Sequence, residues 1–94
     1  MRKRFFIPEV SRFFGIIISM YYKEEKHHNS HFHAMYNEHK ASISISSFQI
    51  LEGYLPPRVY GLVVEWAVKH KDELINNWEL LKEGQPVNKI DPLM

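Results

Sequence analysis

The proline pair Pro56-Pro57 most constrains the fold, because it separates two kinds of hydrophobic pattern. The segments before it are rich in β-branched and aromatic residues, in runs and alternations that are typical of strands. The segment after it carries apolar residues at the spacing of a helix. Proline cannot continue a sheet, but Pro57 suits the first position of a helix, where its missing N–H would be unpaired anyway. Strands followed by helices predict an α+β fold.

The expected sheet is antiparallel and has three or four strands. Its strands are predicted at residues 13–22, 31–36 and 41–46, with a hairpin connection at 37–40 and a short fourth strand at 48–51. The first of these runs is apolar on both faces, which indicates a strand in the middle of a sheet. In the third, Ser42, Ser44 and Ser46 alternate with apolar residues, so the serines are expected to face water.

The segment from Pro57 to Gly84 is too long for one helix in a small domain, because it would measure about 40 Å. We expect a break at residues 70–72, with Asp72 as the N-cap of the second helix. Gly84 is expected to end that helix. Both helices are expected on one face of the sheet, and the tail at residues 85–94 is expected to dock through Ile90 and Leu93.

Composition limits the class of protein. A chain of 94 residues is expected to form a single domain. Twelve Lys and Arg against eleven Asp and Glu give a net charge of +1, which attracts a polyanion only weakly. The absence of cysteine excludes disulfides and thiolate metal sites and fits a cytoplasmic protein. The uncharged run at residues 13–22 is too short to span a bilayer, so no membrane association is expected.

A basic cluster lies in the N-terminal segment at residues 1–9 and just after it. Its members are Arg2, Lys3, Arg4 and Arg12. The cluster is consistent with a solvated terminus and, as the alternative, with a weak nucleic-acid contact.

Histidines are concentrated at residues 27–33, where the sequence HHNSHFH contains four of the chain's six. His31 and His33 are two apart on a predicted strand, so their side chains project from one face and are close enough to share an ion. His27 lies on a loop short enough to fold back as a third ligand. This predicts a divalent metal site, with zinc as the first choice. The competing interpretation is a polar strand edge without a function.

Two residues of the helical segment are candidates for a fourth ligand. Glu65 would add a carboxylate, and with His31 and His33 it is also a candidate for acid–base catalysis. His70 would add an imidazole, but it follows Trp66 by four and lies on the apolar stripe of the helix, where a buried structural histidine is the alternative. The two residues are five apart, so they diverge around a helix and are not expected to reach one site together. His28 and His39 are expected to be exposed.

Many segments of the chain together carry a resemblance to a known family. They are Ser11–Ile18, Met20–Tyr22, His31–Ala34, Leu51–Gly53, Leu55-Pro56, Glu65-Trp66, His70, Glu73-Leu74, Asn77-Trp78 and Lys89-Ile90. With these the chain resembles the small bacterial domain-of-unknown-function family 4160. The resemblance implies no established activity, but family members look like halves of two-gene, toxin–antitoxin-like modules. Lys26 stands where the family has an acidic residue, and Asn29-Ser30 replace its prolines.

Three functional hypotheses follow. The first is a toxin–antitoxin-like module that binds a small cognate protein or a second copy of itself. The second is a metal-dependent hydrolase or nuclease that uses the histidine cluster to activate water. The third is a small regulator that contacts nucleic acid through the basic cluster.

Overall fold

The structure, a computed structural model, describes residues 8–22 and 29–94. Five strands precede two helices in this part of the chain. They are β1 (Glu9–Phe13), β2 (Ile16–Ser19), β3 (His31–Tyr36), β4 (His39–Ser44), β5 (Ile50–Gly53), α1 (Pro57–Lys69) and α2 (Lys71–Lys82). The predicted α+β fold is confirmed, but the sheet has five strands rather than three or four.

The sheet is an antiparallel meander in which the strands lie in sequence order, so β3 is its central strand. Ala34 of β3 pairs with Ile18 of β2, and Phe32 pairs with Ile43 of β4. A residue on β3 therefore has a neighbour on both sides, which gives its side chain a fixed direction.

The run at residues 13–22 is not one strand, as the sequence suggested. The chain reverses at Phe14-Gly15, where both φ angles are positive, at 51° and 79°. A two-residue loop of this kind joins Phe13 to Ile16, which are paired in the ladder. The first residue of this turn is aromatic, whereas asparagine or aspartate is usual there. The turn therefore does not interrupt the apolar pattern of the sequence. The apolar run therefore concealed a hairpin.

The hydrophobic core lies on one face of the sheet. Its strand residues include Ile16, Ile18, Phe32, Ala34 and Ile43, all fully buried. Trp66 of α1 covers this face, with its ring centroid 5.9 Å from that of Phe32. Both helices were expected on one face of the sheet. Helix α1 lies on the core face, whereas α2 also contacts the opposite face, because its Trp78 packs on His31, which points away from the core.

The two helices meet at His70, within the predicted break. The His70 N–H donates to the carbonyls of Trp66 and Ala67, which ends α1. Asp72 is not the N-cap of α2, because the break is only one residue long and His70 occupies that position. Asp72 lies instead in the first turn, where its negative charge interacts favourably with the positive end of the helix dipole. In the part of the chain that the structure describes, no helix is both long and apolar enough to cross a membrane.

The tail at residues 85–94 docks as predicted, with Ile90 and Leu93 buried. The Ile90 N–H donates to the Val10 carbonyl at 2.8 Å, so the tail lies against β1. The side chain of Asn77 holds the tail to α2 through two hydrogen bonds with the backbone of Asn88, both 2.9 Å long.

Candidate functional site

The candidate site is built on β3. Its alternation sends Phe32 into the core and places His31 and His33 on the opposite face, which we call the histidine face. Both residues are almost completely buried, with His31 exposed to 4% and His33 to 6%. The predicted strand and the shared face of the two histidines are confirmed.

The two imidazole rings are neighbours, with centroids 5.1 Å apart and planes at 78°. Two imidazoles that bind one tetrahedral ion through bonds of about 2 Å have ring centroids about 5 Å apart. The observed separation of His31 and His33 is therefore compatible with a shared ion.

A backbone hydrogen bond orients the first ring. The His31 Nδ1 lies 2.9 Å from the carbonyl oxygen of Asn29. Because a carbonyl can only accept, Nδ1 carries the proton and donates it. In the neutral ring the lone pair then lies on Nε2, which is the atom that can coordinate a metal.

Aromatic rings pack on both histidines. Tyr21 lies parallel to His33, with centroids 4.2 Å apart, and its hydroxyl accepts a hydrogen bond from Lys40 at 3.3 Å. Trp78 of α2 packs on His31 at 5.0 Å, and Tyr22 packs on Trp78 in turn. Tyr21 covers a face of the His33 ring, whereas a metal approaches an imidazole in the plane of the ring. The stacking is therefore compatible with coordination.

Buried serines lie beside the histidines, which corrects the expectation that the β4 serines face water. Ser19 and Ser42 pair with His33 from the two neighbouring strands, and Ser44 pairs with His31. All three serines are at most 6% exposed. The expectation is wrong because this end of the histidine face is covered, with Tyr21 packed on His33 and Trp78 packed on His31. Only Ser46, beyond the end of β4, is exposed as predicted.

The chain matches a protein family described as Domain of unknown function (DUF4160) over residues 15–79. It belongs to this family. The matched segment of the DUF4160 chain runs from the β1–β2 turn into α2 and includes both histidines, Tyr21 and Trp78. No curated protein and no solved structure was found to be similar to the chain.

The helical candidates for a fourth ligand are not brought to the histidine pair. His70 packs on Trp66 at 5.5 Å, and Trp66 covers the core face, opposite the pair. The His70 Nδ1 lies 2.5 Å from a carboxylate oxygen of Glu73. Glu65 is exposed on α1. Among residues 8–22 and 29–94, no three His, Cys, Asp or Glu side chains group as a metal site.

Several predicted site residues lie outside the described part of the DUF4160 chain. They are His27, Arg2, Lys3 and Arg4; His28, which was expected to be exposed, lies outside it as well. The remaining member of the basic cluster, Arg12, donates two hydrogen bonds of 2.8 and 2.9 Å to Glu9. These bonds hold the pKa of Glu9 below its ordinary value and raise that of Arg12. The expectation that His39 is exposed is wrong, because its side chain is half-buried beside Tyr54 and lies 3.8 Å from Glu38.

Sequence reasoning missed three contributors to the site: Tyr21, Trp78 and Ser19. Tyr21 follows Ser19 by two, so strand alternation could have placed both beside His33 once the β2 strand was recognised. Trp78 follows Leu74 by four, and this helical spacing indicated only a core position. No pattern in the sequence indicated its contact with His31.

Proposed function

We propose that this DUF4160 chain is a small partner-binding module, toxin–antitoxin-like, that holds a metal ion at His31 and His33. The adjacent placement of the two rings on the central strand carries the metal-binding part of the proposal. The hydrogen bond from His31 to the Asn29 carbonyl supports it, because it places the proton on Nδ1 and so favours Nε2 as the proposed coordinating atom. The proposal includes a cytoplasmic location, which the absence of cysteine favours.

Zinc is the ion proposed for a site with three imidazole ligands. His27 is the proposed third ligand, supplied by the segment between Tyr22 and Asn29. Neutral imidazoles bind zinc well near pH 7, because at that pH most histidines have lost their second proton. The affinity for zinc should therefore fall in acid.

A zinc titration followed by histidine ¹⁵N NMR tests the metal proposal. In the apo protein we expect the His31 signals of an Nδ1–H tautomer, and zinc should shift Nε2 of His31 and one nitrogen of His33. The variants His31→Gln and His33→Gln should each weaken zinc binding about tenfold or more. His39→Gln is the matched control, since His39 lies beside Tyr54 and not at the pair. Unchanged ring signals at equimolar zinc contradict the proposal.

An exposed aromatic residue supports the partner-binding part of the proposal. Phe14 is 62% exposed, although its φ of 51° is unusual for a bulky side chain. Its ring lines a cavity of about 300 Å³ together with Ile16, Tyr36, Arg58, Val59 and Leu62. Backbone conformations of this kind cost about 1–3 kcal/mol and are concentrated at functional sites. Phe14 is therefore the proposed anchor for a partner.

Charge complementarity indicates the chemistry of the partner at this cavity. Arg58 is exposed and forms no ion pair with another described residue. The remaining lining is apolar or aromatic. The proposed occupant is a segment of a small cognate protein in which an acidic side chain lies beside an apolar one.

Co-expression with the product of the adjacent gene tests this surface. Phe14→Asn removes the anchor but places a residue that tolerates positive φ in the turn, so the variant should be at least as stable as the wild type. We expect it to weaken the complex about tenfold or more, as loss of an aromatic hot spot does. Tyr54→Asn is the control, because Tyr54 is also an exposed aromatic residue, at 56%. A chain that is stable, monomeric and unaffected by the neighbouring gene product contradicts the partner proposal.

The alternative of a metal-dependent hydrolase or nuclease has less support. A catalytic metal needs an open position that water and substrate can reach. His31 and His33 are buried, and the third candidate catalytic residue, Glu65, is exposed on α1. Metal-dependent hydrolysis of a phosphodiester or ester, lost in His33→Gln, would favour this alternative over a binding module.

The alternative of a nucleic-acid regulator depends mainly on residues outside the described part of the chain. Arg12 is paired with Glu9, which reduces the charge it offers to a phosphate. The proposed contacts are then Arg2, Lys3 and Arg4. A complex with DNA or RNA that weakens steeply with salt would support this alternative, and its absence would remove it.

A further inference from the structure

The tail at residues 85–94 is bound to the rest of the chain as an extended peptide would be. It forms neither a helix nor a strand, yet Ile90 and Leu93 are buried. Its backbone is bonded by three elements: Asn77 of α2 bonds Asn88, Val10 of β1 bonds Ile90, and Trp66 of α1 donates to the Asp91 carbonyl at 2.8 Å. We call the groove at Val10, Trp66 and Asn77 the tail groove. Backbone hydrogen bonds combined with apolar anchors are a common mode of recognition for extended segments.

A sharp reversal after α2 brings the tail to this groove. The Gln85 N–H donates to the Leu80 carbonyl at 2.8 Å, and the Gly84 N–H donates to the Leu81 carbonyl at 3.0 Å. These two bonds form a Schellman motif, in which the residue after the helix cap takes a left-handed conformation. Gly84 is that residue, with a φ of 74°. The course of the tail therefore depends on a conformation that glycine adopts much more readily than other residues.

The segment that joins α2 to the tail is short and separate from the bound part. Residues 83–86 are exposed, and the hydrogen bonds to the tail groove begin at Asn88. A second copy of the chain carries the same groove, so a tail exchanged between two copies makes the same contacts as before. Short hinge loops favour such an exchange. The hinge, and not the contacts, then determines which copy the tail reaches.

We propose that residues 85–94 are exchanged between two copies of this chain, so that each tail occupies the tail groove of the other copy. Gly84 is the hinge. In its left-handed conformation the tail returns to its own chain, whereas in a helical conformation α2 continues and directs the tail away. The partner is a second copy because the segment bound in the groove is this tail itself. The inference goes beyond the proposed function, since it needs neither the histidine pair nor the cavity at Phe14.

Self-association of a hinge variant tests the inference. A short linker gives the tail an effective concentration in the millimolar range at its own groove, so the wild type should be monomeric at about 10 µM and dimerise only near about 1 mM. Gly84→Ala disfavours the left-handed conformation, and a dimer contains two hinges, so dimerisation should strengthen about tenfold or more. Gly61→Ala is the matched control, because Gly61 lies on α1 without a positive φ. Sedimentation velocity across this range measures the dimer.

A disulfide test shows whether such a dimer forms through the tail. The chain contains no cysteine, and Asn76 of α2 and Asn88 of the tail line one cavity. Single-cysteine chains with Asn76→Cys and with Asn88→Cys, each also carrying Gly84→Ala, are mixed and oxidised at the higher concentration. Exchange places residue 88 of one copy beside residue 76 of the other, so a mixed disulfide should form. Glu52→Cys in place of Asn88→Cys is the control, because Glu52 is exposed on β5, outside the tail.

Both measurements can overturn the inference. If Gly84→Ala, Gly61→Ala and the wild type associate equally, Gly84 is not a hinge for exchange and the inference is wrong. It is also wrong if a dimer forms but Asn88→Cys crosslinks no better than Glu52→Cys, because the copies then meet at another surface. Stronger dimerisation of Gly84→Ala with selective crosslinking through Asn88→Cys supports it. If Gly84→Ala does not fold, the same crosslinking between chains that keep Gly84 decides.

Discussion

The ring of Tyr21 lies parallel to the ring of His33, with centroids 4.2 Å apart and planes only 2° apart. This stack fixes the plane of the His33 imidazole from one side. His31 is the neighbouring residue on the same face, and its ring is fixed by a hydrogen bond to the Asn29 carbonyl. Two independent contacts thus set the directions in which the two histidines can bind a ligand.

The stack predicts different effects for two substitutions of Tyr21. Tyr21→Leu removes the ring and should lower the free energy of unfolding by about 0.5–1.5 kcal/mol. Tyr21→Phe keeps the ring and loses only the exposed hydrogen bond from Lys40, so its cost should be well under about 1 kcal/mol. Urea denaturation measures both. Equal losses in the two variants would show that the hydroxyl, and not the stack, matters.

The side chain of Asn77 predicts a large effect of a small change. It is 1% exposed and bonds both the N–H and the carbonyl of Asn88. Asn77→Leu leaves these backbone groups unsatisfied and should lower the free energy of unfolding by about 1–3 kcal/mol. Asn76→Leu is the control, because Asn76 precedes it on α2 and is exposed. The prediction fails if urea denaturation gives the same stability for both.

Two glycines predict opposite effects of the same substitution. Gly53 has a φ of 89°, and a Cβ there would lie 2.1 Å from the carbonyl oxygen of Lys40. Gly53→Ala should therefore destabilise the sheet by more than about 1 kcal/mol. Gly61 lies on α1 with nothing within 4 Å of such a Cβ, so Gly61→Ala should stabilise the chain by about 0.5–1 kcal/mol. The midpoints of thermal or urea unfolding of the two variants should shift in opposite directions from that of the wild type.

The pair of Glu9 and Arg12 predicts a small dependence of stability on pH. The hydrogen bonds from Arg12 lower the pKa of Glu9 in the folded state below its ordinary value of 4.5. The pair therefore contributes stability above that value, and the contribution is lost as the pH falls through the lowered pKa. The difference in unfolding free energy between wild type and Glu9→Gln should shrink in this acid range. Salt should reduce the difference at neutral pH, because the Arg12 side chain is 60% exposed.

Hydrophobic pattern predicted the fold class and the β3 strand, but not the number of strands. The alternation around His31 and His33 was sufficient to place both on one face, because a strand has a period of two residues. The Phe14-Gly15 turn was missed because an aromatic residue stands at a position with positive φ. Apolar runs on both sides of such a turn cannot be distinguished from one buried strand by pattern alone.

The surroundings of the site were harder to predict than the site residues. Ser42 and Ser44 alternate with apolar residues as a solvent-facing row would, yet they are buried beside the histidines. Whether a sheet face is wet depends on what covers it, and Trp78 reaches this face from a segment distant in sequence. A period of two reports the direction of a side chain but not its burial.

Metal content of the untagged protein, purified without chelator, tests the central claim most directly. Elemental analysis should find about one equivalent of a transition metal per chain in the wild type and in His39→Gln, whose altered residue lies away from the pair. The double variant His31→Gln and His33→Gln should contain almost none, with its circular dichroism spectrum showing that it is folded. A wild type without stoichiometric metal, or a folded double variant with as much metal as the wild type, would contradict the account.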